Sequence, residues 1–487
     1  MPTRTPIPPN LRMASLLFVF ACAAVLAAEP DRSDYAVIVS QKTFADHEWR
    51  PVVDALQAKH KAGLIVYESS VDEALPKLRE QFPRYACFVA QPEEAGREFV
   101  AKVHRLTRRL DDDPYTDCFW GILTGYDAAN ALRIAKHAEP LTVRKVAGGT
   151  EVALDMCEEG VCYSELKQGQ MVKKEKAGAP KELPAPADST EALVKTLTEY
   201  PVDLFVTSGH ATERDWQIGY AYRNGSFRCE DGVLYGLDTQ GKKHPIQSPN
   251  PKVYLPIGNC LMGHVDGPKA MAPAFLNSGG VNQMMGYTVN TWYGYGGWGC
   301  LDYFVEQPGR YTFAEAFFAN HAALIYRLQT YFPDLIEAVA NSNGRLEKAS
   351  VQLTPQAREA GLTAQDGRGL AYDRDFVAFY GDPAWVARMA PGKTAWDQTL
   401  SEKDGVWSFE IKPNRGEKTF EPINKNGSQR GYRPIVQFLP KRIRDVQIIA
   451  GADLKPVITE NFILVPNPRV CDPPKQYRVV FRAKLLE

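Results

Sequence analysis

Between residues 35 and 137 the chain alternates short apolar runs with longer amphipathic ones, and this alternation restricts the fold more than any other feature. Runs at 35–40, 63–67, 85–90 and 118–124 read as strands, and the segments at 44–60, 71–81, 95–110 and 127–137 as the helices between them. Alternation of this kind is the signature of a parallel sheet covered by helices, so the fold class is α/β. A second stretch of the same kind starts near residue 189. It carries a helix at 191–199, buried strands at VDLFV (202–206) and VYLPI (253–257), a third strand at 281–285, and a closing strand at 376–380. Thr312 and Glu315 have the spacing of a capping box that opens a helix.

Beyond residue 400 helical periodicity ends. Short alternating runs, WSFEI at 407–411, IVQF at 435–438, VQII at 446–449 and a run at 477–483, predict a small β-sandwich. Between the two α/β stretches lies KQGQMVKKEKAGAPKELPAPAD, charged, proline-rich and without periodicity, which reads as a linker or mobile loop. The resulting division is a signal peptide at 1–28, an N-terminal α/β subdomain at 29–164, a linker at 165–188, a second α/β subdomain at 189–399 and a β-sandwich at 400–487.

Arg4 and Arg12 precede an apolar stretch, 13–28, that is too short to span a bilayer comfortably and ends in small residues, as a secretory signal does. Cys22 also allows a lipoprotein reading, which Phe20 disfavours. The expected location is therefore secreted, periplasmic or extracellular, with no integral membrane segment after signal removal. Fifty-seven basic residues against fifty-eight acidic ones leave a formal charge of −1, which excludes an overall field that recruits nucleic acid. Eight cysteines remain after residue 28, too few for a disulfide scaffold; Cys157 and Cys162 are close enough to close a small loop. Asn224-Gly225-Ser226 and Asn426-Gly427-Ser428 match glycosylation triplets and predict exposed loops.

Two strand ends carry the chemistry. VDLFV runs into Thr207-Ser208-Gly209-His210 and VYLPI into Gly258-Asn259-Cys260. In open parallel sheets ligands bind beyond the carboxyl ends of the strands, so His210 and Cys260 are placed as proton-transfer partner and thiol nucleophile. A free thiol, with a pKa near 8.5, is only a few per cent thiolate at neutral pH, and a neighbouring imidazole remedies that. A zinc site is the chemical alternative, built from Cys260 and His264 with His210, His244 or Cys229, although the spacing matches no common ligand pair. The run TVNTWYGYGGWG at 288–299 reads as a flexible glycine-rich loop that presents Trp292 and Trp298 to a peptide.

SGHA at 208–211, IGNCLMGH at 257–264, SGGVNQMMGYTVNTWYG at 278–294 and FYGDPAW at 379–385 together resemble the gingipain-type cysteine peptidases of the caspase-like group. The resemblance implies a caspase-like parallel-sheet catalytic region in two α/β subdomains, followed by an immunoglobulin-like β-sandwich. It implies a cysteine-type endopeptidase acting on protein or peptide substrates, with Cys260 as nucleophile and His210 as proton carrier. The backbone N–H groups of Cys260 and Ala211 would form the oxyanion hole, although the group usually has glycine where this chain has Ala211. Asp127 matches by position the acid that selects a basic side chain, and could equally cap the helix that starts there. No cofactor is required; a structural calcium is allowed. Self-cleavage in the lysine-rich tract 167–181 would follow from a basic preference. The alternative function is a catalytically inactive caspase-like module that acts as an extracellular or cell-surface binding protein.

Overall fold

Twelve strands make the central sheet of the computed structural model, which describes residues 34–338, 351–425, 429–472 and 474–486. Numbered along the chain they are β1 (Tyr35–Ser40), β2 (Gly63–Tyr67), β3 (Tyr85–Val89), β4 (Phe119–Leu123), β5 (Lys145–Gly148), β6 (Glu159–Tyr163), β7 (Gln170–Lys174), β8 (Lys181–Pro184), β9 (Leu204–Thr207), β10 (Lys252–Pro256), β11 (Val281–Tyr287) and β12 (Val377–Tyr380). Across the sheet the order is β2-β1-β3-β4-β12-β11-β10-β9-β5-β6-β7-β8. The expected signal peptide, and the triplet at Asn426, lie outside the described residues.

The sheet is mostly parallel but reverses once in its middle. β2, β1, β3, β4 and β12 run one way. β12 pairs antiparallel with β11, and β11, β10, β9, β5 and β6 all run the other way. The two α/β stretches thus share one sheet, in which the expected closing strand, β12, sits near the centre and runs with β1–β4 of the first stretch. Just past β12, Asp382 is buried and accepts hydrogen bonds from Tyr35 Oη (2.8 Å) and Lys59 Nζ (2.9 Å), with His60 Nε2 at 2.7 Å. Burial works against its charge, yet His60 and Lys59 hold the carboxyl down at about 2.

Most sequence-derived elements sit where the pattern puts them, with local breaks. The expected helix at 44–60 is split into Gln41–Ala45 and Arg50–His60, the second opening on Pro51, whose missing N–H suits a first turn. The capping box of Thr312 and Glu315 is formed at the start of Phe313–Tyr331. The tract 165–188 is not a linker. It folds as the antiparallel hairpin β7–β8 on the edge of the main sheet, with Met171 and Val172 half-buried. Its lysines hid the strands from a hydrophobic pattern, and charge on an edge strand is a common guard against edge-to-edge pairing.

The glycine-rich run corrects a second expectation. Rather than a flexible loop over 288–299, the chain turns after β11 and enters a buried helix, Tyr295–Phe304. A Cβ on Gly297 would lie 1.9 Å from the carbonyl oxygen of Ile257, so the helix rests directly on the backbone one residue beyond β10. Glycine here provides close approach, not mobility.

The C-terminal region is a two-sheet sandwich around a shared core that includes Trp407, Phe409, Ile435, Ile463, Val479 and Phe481. Its seven strands in chain order are Trp396–Lys403, Val406–Pro413, Ile435–Phe438, Ile443–Ala450, Val457–Ile458, Phe462–Val465 and Tyr477–Leu485. The four-stranded sheet runs first-second-seventh-fourth and the three-stranded one third-sixth-fifth. An immunoglobulin constant-type domain has the fifth strand where this chain has the seventh, so the sandwich is present but the immunoglobulin strand order is not. No disulfide joins the eight cysteines at 87–471, and Cys157 and Cys162 are separate buried thiols. Asn224 is half-buried, with its side-chain oxygen and nitrogen bonded to Ser189, so its triplet is less open than expected.

Gly297→Ala should lower the thermal midpoint and cost about 1–3 kcal/mol, the usual range for overpacking, because the new methyl meets backbone rather than a movable side chain. An unchanged midpoint in calorimetry would mean that the helix is not seated on Ile257. The hairpin also narrows where the lysine tract can be cut. Exposed residues cluster at its tip, around Lys176 and Ala177. Limited trypsin digestion should therefore cleave first after Lys176, and mass mapping of wild type beside Cys260→Ala will show whether the chain does this to itself.

Candidate active site

Five adjacent strands of one direction, β11, β10, β9, β5 and β6, bring their carboxyl ends to the same edge of the sheet, and a cavity of about 380 Å³ opens beyond them. Each strand contributes the residues that follow it. Thr150 and Glu151 come from β5, Glu165 from β6, His210 from β9, Cys260 from β10, and Thr291 and Trp292 from β11. This is where ligands bind in open α/β sheets.

The two strand ends that carry His210 and Cys260 are locked together beneath the cavity. Asn259 is fully buried, accepts a hydrogen bond from Thr207 Oγ1 (2.6 Å) and donates one to the carbonyl of Gly209 (3.1 Å). The indole of Trp216 donates to the carbonyl of Ser208 at 2.7 Å. A Cβ on Gly258 would come within 2.6 Å of Ser208 Oγ, so a glycine lets the ends approach. The sulfur of Cys260 accepts from the backbone N–H of Thr291 at 3.2 Å.

His210 is exposed at the cavity wall, and its ring leans on Tyr220, with centroids 5.0 Å apart and planes inclined by 31°. Tyr220 is itself tied to the end of β6, its N–H donating to the carbonyl of Glu165 at 2.8 Å. Ala211 forms an isolated antiparallel bridge with Trp216. The bridge uses the N–H groups of Thr212 and Gln217, which leaves the Ala211 amide outside the ladder. The left-handed conformation falls on Gly209 (φ 90°) and Leu261 (φ 57°), not on Ala211, so alanine fits the backbone as it stands.

The acids of the cavity are not the one expected. Asp127 caps the helix Ala128–Lys136, accepting from Asn130 N at 2.8 Å, and is not on the cavity wall. The reason is topological: Asp127 follows β4, which belongs to the oppositely directed half of the sheet, so its end faces away from the site. Glu165 and Glu151 line the cavity instead. Glu165 is 7% exposed and accepts from Thr150 Oγ1 at 2.5 Å; burial pushes its carboxyl up to about 7. Glu151 accepts from Ser164 Oγ at 2.6 Å.

Both tryptophans reach the cavity. Trp292 is 46% exposed on its rim, with Leu166 and Tyr220, while Trp298 is buried in the wall beneath Arg430, which lies 5.1 Å above its ring. The zinc alternative does not assemble. His244 pairs with Asp238, Cys229 faces the carbonyl of Lys269, and His264 is not on the cavity wall. Among the described residues the one group of three metal-ligating side chains is Asp111, Asp113 and Glu460.

No protein-family model matches the chain, and no curated protein matches it. Among solved structures, a complex of Porphyromonas gingivalis RgpB pro- and mature domains is similar at 11% sequence identity and a TM-score of 0.43, over 92% of this chain and 98% of that one. No helix among the described residues is long and apolar enough to cross a membrane.

The raised carboxyl of Glu165 gives a stability test. An unfolded glutamate titrates near 4.3. Below that pH both states hold the proton, between about 4.3 and 7 the unfolded state alone gives it up, and above 7 the folded state carries a buried charge. Glu165→Gln should therefore leave stability unchanged near pH 4 and raise it, relative to wild type, as pH climbs to 8. A pH series of denaturant midpoints with no such divergence would contradict the burial of this carboxyl.

Proposed function

We propose that the protein is a cysteine endopeptidase in which Cys260 and His210 act as a dyad. The observation that carries this reading is that a thiol, Cys260, and an imidazole, His210, line one cavity at the carboxyl ends of co-directional strands, with the Ala211 amide, next to His210, outside the ladder. The motif resemblance at 208–211 and 257–264 points the same way.

In this mechanism the Cys260 sulfur attacks the carbonyl carbon of a peptide bond while the thiol proton moves to His210. The carbonyl oxygen, now an anion, is received by the N–H groups of Cys260 and Ala211. His210 protonates the amine as the C–N bond breaks, leaving an acyl-thioester. A water then gives a proton to His210 and attacks the same carbon, the C–S bond breaks, and the acid product leaves with the thiol restored. The ring of Tyr220 limits how far the imidazole can swing during these transfers.

Glu165 takes the role first assigned to Asp127, selecting a basic side chain, with Glu151 beside it and an apolar rim of Leu166, Tyr220 and Trp292 for the flanking residues. A carboxyl near 7 is half-ionised at neutral pH, so preference for basic over neutral residues should strengthen as pH rises through that value.

Cys260→Ala should abolish turnover and labelling by thiol-reactive peptide probes while the protein still folds. His210→Ala should lose about 10²–10⁴-fold in kcat, the typical contribution of an acid–base group, with a smaller change in KM. Ala211→Gly should keep or raise activity, since its N–H stays in place. Peptide-library profiling of the mature protein, with turnover compared between wild type and Cys260→Ala, checks all of this. Equal turnover by the two would sink the peptidase reading and leave the binding module.

A further inference from the structure

A second polar centre lies far from the cavity in sequence, where the α/β region meets the sandwich. Asp111 and Asp113 sit in the loop after the helix Arg97–Thr107, and Glu460 in the turn between Val457–Ile458 and Phe462–Val465. All three are half-buried, and one carboxylate oxygen from each lies within 4.8 Å of the other two. A point within about 2.8 Å of all three oxygens therefore exists, a small side-chain adjustment from the Ca–O distance of about 2.3–2.6 Å.

An independent observation points into the same place. Asp117 is 1% exposed; its Oδ2 accepts from Leu110 N at 2.9 Å, while its Oδ1 is buried with no hydrogen-bond partner. The acidic groups acting on Asp117 are Asp111, Glu460 and Asp113. Against these four carboxyls stands Arg442, which donates to Glu460 Oε1 at 3.1 Å and to the backbone carbonyl of Asp117 at 2.6 Å. Buried carboxyls without compensating charge are unfavourable, and a divalent cation compensates them directly.

We propose that Asp111, Asp113 and Glu460 form a calcium site, backed by the buried carboxyl of Asp117, which ties the α/β loop to the sandwich turn. The donors are all hard oxygens, which favours calcium over zinc. Magnesium demands a tighter octahedron at about 2.0–2.1 Å and keeps its waters, which suits an open pocket better than a junction between two packed regions. The family resemblance allows a structural calcium without attaching residues to it, and this donor set is of the type that ion takes. The site is independent of the peptidase reading.

The test is isothermal titration of calcium chloride into the mature protein, first stripped with a chelator and desalted. One ion per chain should bind, at least tenfold more weakly in Asp113→Asn and in Glu460→Gln, and calcium should raise the thermal midpoint of wild type more than of either variant. Terbium provides a readout on wild type should the variants fail to fold. Tyr115, whose N–H bonds Asp113 Oδ1 at 2.7 Å, should sensitise its luminescence; calcium should quench the signal, and Tyr115→Phe should at least halve it. The proposal is overturned by no binding at millimolar calcium, by tighter binding of magnesium, by binding unchanged in both carboxyl variants, or by terbium emission indifferent to Tyr115→Phe.

Discussion

The antiparallel pairing of β11 with β12 is the constraint on which the rest of the molecule depends. Met284 faces Tyr380 and Tyr287 faces Val377 across it, and the sheet is parallel on one side out to β2 and on the other out to β6. Because direction reverses there once, the β1–β4 half sends its strand ends to one edge and the β5, β6, β9, β10 and β11 ends go to the other. The cavity exists because five ends of one polarity are neighbours. The reversal is held by more than its ladder. Gln283 donates from β11 to the carbonyls of Asp382 and Trp385, and Tyr35, Lys59 and His60 converge on the Asp382 carboxylate. FYGDPAW, conspicuous in the sequence, fastens the seam and does not reach the cavity.

That seam also explains what could be read from the sequence and what could not. The strands at 35–40 and 63–67 sit where their apolar runs end, and the two runs leading to His210 and Cys260 are neighbours in the sheet, because such features are local. Strand direction is not local. An apolar run carries no mark of polarity, and the pairing that sets it here joins β12 to β4 across about 250 residues of chain. Of the two roles the sequence allows Asp127, the structure has the helix cap, and its strand end lies at the edge of the sheet away from the cavity. The hairpin β7–β8 and the helix Tyr295–Phe304 were missed for a different reason. In both, the composition that usually means mobility, lysines in one and glycines in the other, serves an edge strand and a close packing contact.

Glu165 and Glu151 had a legible signal. Each lies two or three residues beyond the end of its strand, close to the three or four that separate His210 and Cys260 from theirs. The charged, proline-rich composition of 165–188 reads as a linker and so hides Glu165 as a strand-end residue. Asn259 left less to read, since nothing in a sequence shows that an amide next to the cysteine reaches across to Thr207 and Gly209 on the neighbouring strand.

The acids and the thiol line one cavity. Burial, with Glu151 beside it, disfavours the charge on Glu165. With the carboxyl raised to about 7 by burial, Glu165 near neutrality is only about half ionised, which limits the negative charge it places in the cavity. On the proposed reading, a basic side chain entering the cavity reverses the balance. Its cation draws Glu165 into the ionised form. Recognition of a basic side chain and ionisation of Glu165 are then coupled, and a neutral side chain, lacking the cation, gains no such effect.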